Sequence, residues 1–233
     1  MKKHTPRISL VIPLFNNEQT LVSQVTACLR ILDNLAQKYE VLVCDDTSTD
    51  FSTTLLKKHF ARRSRVRLLF HGTNQGIAKT IYELYSKATK DYVLLYSVDG
   101  DWDPRDIGRL LTKLALTHAD IVLGQRDKSV YSFYRSVISH GYNTLTRLLF
   151  GVDTVDAGSI KLFKRSLFSR SPIASRSMFF EAEMIIRAVR SGANMAVVPV
   201  RFYKKPGDGG RGALLPSVIE SLRDAIRLRL TGV

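Results

Sequence analysis

The feature that most constrains this chain is a recurrence. Short apolar runs end in polar or acidic clusters, and each cluster is followed by a helical pattern. Ile8-Ser9-Leu10-Val11-Ile12-Pro13 leads into Leu14-Phe15-Asn16-Asn17-Glu18. Tyr39-Glu40-Val41-Leu42-Val43-Cys44 leads into Asp45-Asp46-Thr47-Ser48-Thr49-Asp50. Tyr92-Val93-Leu94-Leu95-Tyr96-Ser97-Val98 leads into Asp99-Gly100-Asp101-Trp102-Asp103-Pro104. Apolar runs of this length read as strands buried on both faces. Further strands are predicted at about 65–70 and 121–124, with helices over about 19–38, 50–62, 77–89 and 105–117. In the first helix Leu21, Val25, Cys28, Leu29 and Leu32 share one face. Alternating strands and helices imply βαβ units and an α/β fold with a Rossmann-like, mostly parallel central sheet flanked by helices. Right-handed crossovers set the strand C-termini on one edge, where open α/β sheets bind ligands. Polar clusters at 13–18, 45–50 and 99–103 all fall on that edge, which helix caps alone do not explain.

The third cluster carries carboxylates at alternate positions, Asp99, Asp101 and Asp103. In an extended segment all of them face one side. Oxygens converging in this way suit a hard divalent cation that also holds phosphate. The other reading is a solvated acidic turn in which Asp103 caps the next helix. The residues alone do not choose between them.

The chain has 233 residues, with 35 Lys and Arg against 21 Asp and Glu, a formal net charge of +14. One sizeable domain fits this length, read as a nucleotide-side half, 1–125, and an acceptor-side half, 126–233. The charge implies an anionic partner. A non-catalytic nucleotide-sugar-binding or nucleic-acid-binding protein is the less favoured reading: no RRM, KH or zinc signature is present, the acids converge where phosphates would sit, and no nucleic-acid partner is expected. Cys28 and Cys44 read as core thiols in a reducing compartment. No stretch approaches the roughly 20 apolar residues that span a bilayer. The basic N-terminus lacks a signal-type apolar segment. The expected location is cytoplasmic, with the cytoplasmic face of a membrane as an alternative, and a homo-oligomer stays open.

Beyond Gly124 the pattern changes. A helix over about 130–150 mixes aromatics with Arg135, His140 and Arg147. Residues 160–163 read as a short strand and 179–190 as a helix carrying Glu181 and Glu183. Residues 195–202 read as a last strand, at an edge or bulge because of Pro199. A loop at 203–212 holds Lys205 and Arg211 among four glycines and could close over an anion. The last helix, from Leu214 to about Leu230, pairs Leu215, Val218, Ile219, Leu222 and Ile226 with Arg223, Arg227 and Arg229. It reads as docked on the core through its first half, with a basic end suited to a membrane surface.

In order and spacing these segments resemble the family 2 glycosyltransferases of GT-A fold, and within them the dolichol-phosphate mannose synthase-like, polyprenyl-phosphate group. Residues 11–18 are similar to a "VIPxYNE" opening, with Phe15 for Tyr. Residues 45–50 resemble "DDxSxD", 74–76 resemble "NxG", and Asp99-Gly100-Asp101 resembles the DxD metal motif. Arg135 to Asn143, through Ser139, looks like "RxxxSxxxN", and 183–200 looks like "E-l-l-x-k-A … e-v-P-v". Two segments depart from the pattern, Gly158-Ser159-Ile160-Lys161 and 205–211, both on the acceptor side.

The resemblance implies a metal-dependent, inverting transfer of a sugar from a GDP- or UDP-sugar to a polyprenyl phosphate. Mg2+ or Mn2+ would be held by Asp101, with Asp99 and Asp103 in support, and would neutralise the leaving diphosphate. Donor contacts are assigned to Pro13, Phe15, Glu18, Asp45, Asp46, Gln75 and Asp99. A lipid phosphate needs no base, only cations and polar groups to place it, for which Arg126, Arg135, Ser139, Lys161, Lys205 and Arg211 are the candidates. The alternative is a sugar-hydroxyl acceptor, which requires a base. Glu181 is then the candidate and Glu183 the second, although Glu183 reads better as a salt-bridged first helical turn.

Overall fold

In the computed structural model, residues 6–36, 38–127, 133–170, 173–203 and 215–232 are described, without the side chains of 133–138. The elements run β1 (Arg7–Leu14), α1 (Leu21–Leu35), β2 (Lys38–Asp45), α2 (Ser52–Phe60), β3 (Val66–Phe70), α3 (Ile77–Lys87), β4 (Tyr92–Leu95) and α4 (Arg105–Thr117). They continue with β5 (Ile121–Arg126), α5 (Phe133–Phe150), β6 (Lys161–Lys164), α6 (Arg165–Ser169), α7 (Phe179–Arg190), β7 (Met195–Val200) and α8 (Leu215–Thr231).

One seven-stranded sheet, in the order β3-β2-β1-β4-β6-β5-β7, carries the molecule. All neighbouring pairs are parallel except those of β6, which is antiparallel to both β4 and β5. The strand from the second half of the chain thus sits between two strands of the first. β7 lies at an edge, as Pro199 foretold, because proline has no N–H to give to a further strand.

Side-chain alternation builds a core on each face of the sheet. In β1, Ile8, Leu10, Ile12 and Leu14 turn toward α1, α2 and α4, meeting Leu21, Val25 and Leu110. Val11, with Leu42 and Cys44 of β2, turns the other way onto Ile81, Leu84 and Tyr85 of α3 and Met184 and Ile185 of α7. Both cysteines are free and buried. Burial of apolar side chains on both faces, worth roughly 1.5–3 kcal/mol for each large one, is what makes the strands read as continuous apolar runs.

β1 is flanked by β2 on one side and β4 on the other, all parallel, so the chain order reverses at β1. A crevice therefore opens beyond the C-terminal ends of β1 and β4. Two elements differ from expectation. α6 was not anticipated, and α8 docks through its second half: Ser221, Ala225 and Leu228 are buried, whereas Leu215 and Ile219 are exposed.

Candidate active site

The polar clusters beyond β1, β2 and β4 meet at this edge. Asn16, in left-handed conformation (φ 54°), donates its N–H to Ser48 Oγ and accepts the Thr49 N–H on Oδ1 at 2.8 Å. The Asn17 N–H bonds Ser52 Oγ, and Glu18 exchanges bonds with the Asp50–Phe51 segment, its Oε2 taking the Phe51 N–H at 2.8 Å. Thr20 donates to the Val98 carbonyl, tying the β1 exit to the β4 exit. Beside the β1 exit, against Asp50 of the segment after β2, lies an open cleft of about 260 Å³ lined by Asn16, Asn17, Glu18, Gln19, Thr20 and Asp50. Pro13 is buried within β1, contrary to its assignment against a base, whereas Phe15 is half-exposed.

The acids after β2 do not offer their oxygens outward as expected. Asp45 accepts the Ser48 N–H at 3.0 Å and the Thr53 hydroxyl. Asp46 accepts the Gln75 N–H at 2.7 Å, the Gly76 N–H at 2.9 Å and a bond from His71 at 2.7 Å. Burial pushes its carboxyl up, but these donors outweigh that and hold it below its ordinary value. Asp45 and Asp46 shape the edge beyond β2 and β3 through these bonds rather than offering their oxygens outward. Gln75 contributes its backbone N–H to that edge, while its side chain bonds Thr73.

After β4 the chain turns instead of staying extended. Gly100 takes φ 87°, a conformation natural to glycine, and Asp99 Oδ1 accepts the Asp101 N–H at 3.0 Å. Trp102 bridges to Phe202, and the Tyr203 N–H bonds the Asp101 carbonyl at 2.7 Å, fixing the turn to the end of β7. Asp103 is held by the Arg105 guanidinium at 2.6 Å, accepts the Arg105 N–H, and lies 3.7 Å from Arg201. The Arg105 bonds hold its carboxyl below the usual range. The expected trio of carboxylates is therefore not assembled, and Asp103 takes the capping reading. Among the described residues no group of three His, Cys, Asp or Glu side chains could hold a metal ion. Asp99 and Asp101 do fit a cation that takes one or two protein carboxylates and completes its shell with phosphate and water, which is how Mg2+ ordinarily binds.

The acceptor side is corrected more strongly. Lys161 Nζ lies 2.5 Å from Glu181 Oε1, and both residues are 0–1 % exposed. The Tyr85 hydroxyl donates to the same oxygen at 2.8 Å. Burial draws the Lys161 ammonium below its ordinary value, opposed by Glu181. Lys161 is thus a core cation that meets no phosphate, and Glu181 its counter-ion, unable to reach an acceptor hydroxyl in this geometry. Arg126 grips Asp156 through Nε at 2.8 Å and its terminal nitrogen, with its guanidinium over the rings of Trp102 and Phe202. It too is engaged within the protein. Glu183 accepts the Ala174 and Ser175 N–H groups and pairs with Arg187 at 2.8 Å, the structural role expected of it. Ser139 is half-buried on α5. Arg135 lies on α5 with a side chain that is not described, and Lys205 and Arg211 lie outside the described residues. Sequence motifs missed His71, Tyr85, Asp156 and Arg201, because nothing local marks a residue whose partner comes from another element.

A doubly wound sheet with an acidic turn at its switch point is the α/β arrangement that binds nucleotides at the strand C-termini. Residues 9–171 match the model of "Glycosyl transferase family 2", and the chain belongs to that family, a glycosyltransferase family. It is 26% identical over 207 residues to glycosyltransferase AglD of Haloferax volcanii, a match covering 85% of this chain and 33% of that protein. The chain spans about a third of the length of the curated relatives it matches. Mannosyl-3-phosphoglycerate synthase of Rubrobacter xylanophilus superposes with a TM-score of 0.78 at 17% identity, covering 97% of this chain and 75% of that one. Glucosyl-3-phosphoglycerate synthase of Mycobacterium tuberculosis, solved with Mn2+, UDP and glucosyl-3-phosphoglycerate, gives 0.73 at 16%, covering 97% and 80%. These likenesses show the GT-A fold. The expected place in the polyprenyl-phosphate group is corrected: the solved structures of similar fold include these 3-phosphoglycerate sugar synthases, and Arg126 and Lys161, two of the cations assigned to a lipid phosphate, are engaged inside the protein.

Proposed function

We propose that this chain transfers a sugar from a UDP-sugar to a small phosphorylated acceptor, with Mn2+ or Mg2+ held at Asp99 and Asp101. The observation that carries the reading is the acidic turn 99–101 at the switch-point crevice of a family 2 sheet, fixed there by the bonds from Thr20 to Val98 and from Tyr203 to Asp101. The synthases of similar fold, named for 3-phosphoglycerate products and in one case solved with UDP and Mn2+, support the donor and acceptor class. Asp99 and Asp101 would hold the cation, which when bound would supply Lewis-acid neutralisation of the departing diphosphate. The chain's own residues bind and orient. Glu18 lines the cleft, and Phe15 and the Asp46-held turn at 74–76 are the further candidates to contact the nucleotide. The excess of 14 positive charges raises the local concentration of both anionic substrates.

Thermal unfolding with a panel of nucleotides, with and without Mn2+, tests this. UDP with Mn2+ at about 100 times its Kd should raise Tm by about 5–10 °C. UDP in EDTA, or with Asp101→Asn in Mn2+, should give little shift. Stabilisation by UDP that is indifferent to both EDTA and Asp101→Asn would remove the metal from the reading.

A second reading concerns placement. Leu215, Ile219, Ile226 and Leu230 are 40–81 % exposed along one side of α8, beside the exposed Arg223, Arg227 and Arg229. An apolar stripe rimmed by arginines complements an anionic lipid surface. We propose that α8 rests on such a surface. Among the described residues no helix is long and apolar enough to cross a membrane.

A further inference from the structure

His71 follows β3 and stands between the β2 exit and α3, with about a tenth of its side chain exposed. Its Nδ1 lies 2.7 Å from Asp46 Oδ1, and its Nε2 lies 2.9 Å from Glu83 Oε2 and 3.3 Å from Cys44 Sγ. An ionised carboxylate only accepts hydrogen bonds, and a neutral imidazole donates from one nitrogen only. A carboxylate on each nitrogen therefore requires a proton on each. The carboxylate that His71 holds is the one that shapes the turn after β3: Asp46 takes the Gln75 and Gly76 N–H groups, and the Asn74 amide donates to the Asp46 carbonyl at 3.0 Å. Gly76, with φ 84°, then opens α3. Glu83 is fixed in turn by Lys87 at 3.4 Å. Ring, carboxylate and turn form one hydrogen-bonded unit beyond the C-terminal ends of β2 and β3.

We propose that His71 is a positioning residue for donor binding: as an imidazolium bridging Asp46 and Glu83, it fixes the Asn74-Gln75-Gly76 turn against which the nucleotide sits. This rests on the donor reading of residues 45–50 and 74–76.

The clamp depends on pH. The titratable and charged groups facing the ring are Cys44, Asp45 and Asp46 from β2 and its exit, and Glu83 and Lys87 from α3. Burial pushes the Cys44 thiol up to about 12, so it stays neutral. Asp46 and Glu83 are held below their ordinary values. Burial draws His71 down, but the bonds to Asp46 and Glu83 outweigh it and hold the ring above its ordinary value. The clamp is then complete below the usual histidine value of about 6.5 and is lost as pH rises through the raised one.

The test has two readouts across pH 6 to 9, in wild type, His71→Ala and His71→Gln. Amide hydrogen exchange at Gln75 and Gly76 reports the turn in the free protein, and calorimetry with UDP and Mn2+ reports donor affinity. In wild type, protection at both amides should fall with pH beyond the intrinsic base catalysis, and UDP affinity should weaken about tenfold, the scale of a charge-assisted bond. His71→Ala should show the loosened turn and weak affinity already at pH 6, with no further pH dependence. His71→Gln, which still donates to Asp46, should recover part of the affinity while staying flat with pH. Unchanged exchange in His71→Ala overturns the clamp itself. Exchange that depends on His71, together with UDP binding that does not, overturns the positioning role. A wild type that shows the clamp but binds no UDP overturns the donor reading, and that role with it.

Discussion

Lys161 and Glu181 are both fully buried, and each is in contact with the other. A buried ion pair contributes little net stability over apolar residues, but removing one member leaves an uncompensated charge. Lys161→Met is therefore expected to lower unfolding free energy in urea by about 3–5 kcal/mol. Lys161→Met with Glu181→Gln should recover roughly half of that, since the glutamine carbonyl still accepts from Tyr85. A double variant no more stable than Lys161→Met alone would mean the pair is not the source of the loss. At this scale the sequence shows which residue types gather at the strand ends, but not what each side chain touches. Asp46 looks like a ligand to a nucleotide because it stands beside Asp45 in a motif. In the fold its oxygens are taken by backbone 30 residues further on. Lys161 looks like a phosphate cation because nothing in its neighbourhood reveals that α7 brings a carboxylate onto it.

At the level of elements the strands and helices were largely legible, since apolar periodicity and burial are local signals. α4 and α7 have their predicted bounds, Arg105–Thr117 and Phe179–Arg190. The segment after β4 was misread as extended because its alternate acids mimic strand periodicity, whereas Gly100 bends it. α8 was misread in its docking for a different reason. Asp224 on its inner side accepts the N–H groups of Arg176 and Ser177, at 3.0 and 2.9 Å, and the Ser177 hydroxyl. That polar anchor sits beside the buried Ser221, Ala225 and Leu228, and apolar residues elsewhere on the helix give no local sign of which stripe turns inward. The stripe left outside gives the membrane reading its test. The protein should co-sediment with vesicles containing phosphatidylglycerol and not with pure phosphatidylcholine, and Ile226→Asp with Leu230→Asp should weaken binding at least tenfold. Equal recovery with both lipids, or with neither, would discard the reading.

For the whole molecule, charge sets the response to acid. Asp46 and Glu183 are held below their ordinary values by hydrogen bonds that outweigh burial, and Asp103 by Arg105. Each of these carboxylates contributes stability that is complete above its unfolded value, about 3.9 for Asp and 4.3 for Glu, and is lost as pH falls through the lowered folded one. Asp106 works in the other direction: burial pushes it up, against a backbone bond from Arg201 and the charge of Arg109, so its protonation in acid returns a little stability. The depressed group is the larger. Protonation also removes negative charge from a chain that already carries a net +14, which adds self-repulsion to the lost bonds. The urea midpoint should therefore hold between pH 5 and 6.5 and fall steadily below about pH 4. Because repulsion between exposed charges is screened and bonds within buried clusters are not, 0.5 M NaCl should restore part of the loss and leave the rest. A midpoint that stays level down to pH 3 would show that these carboxylates titrate as they do in the unfolded chain. Full recovery in salt would assign the loss to net charge alone.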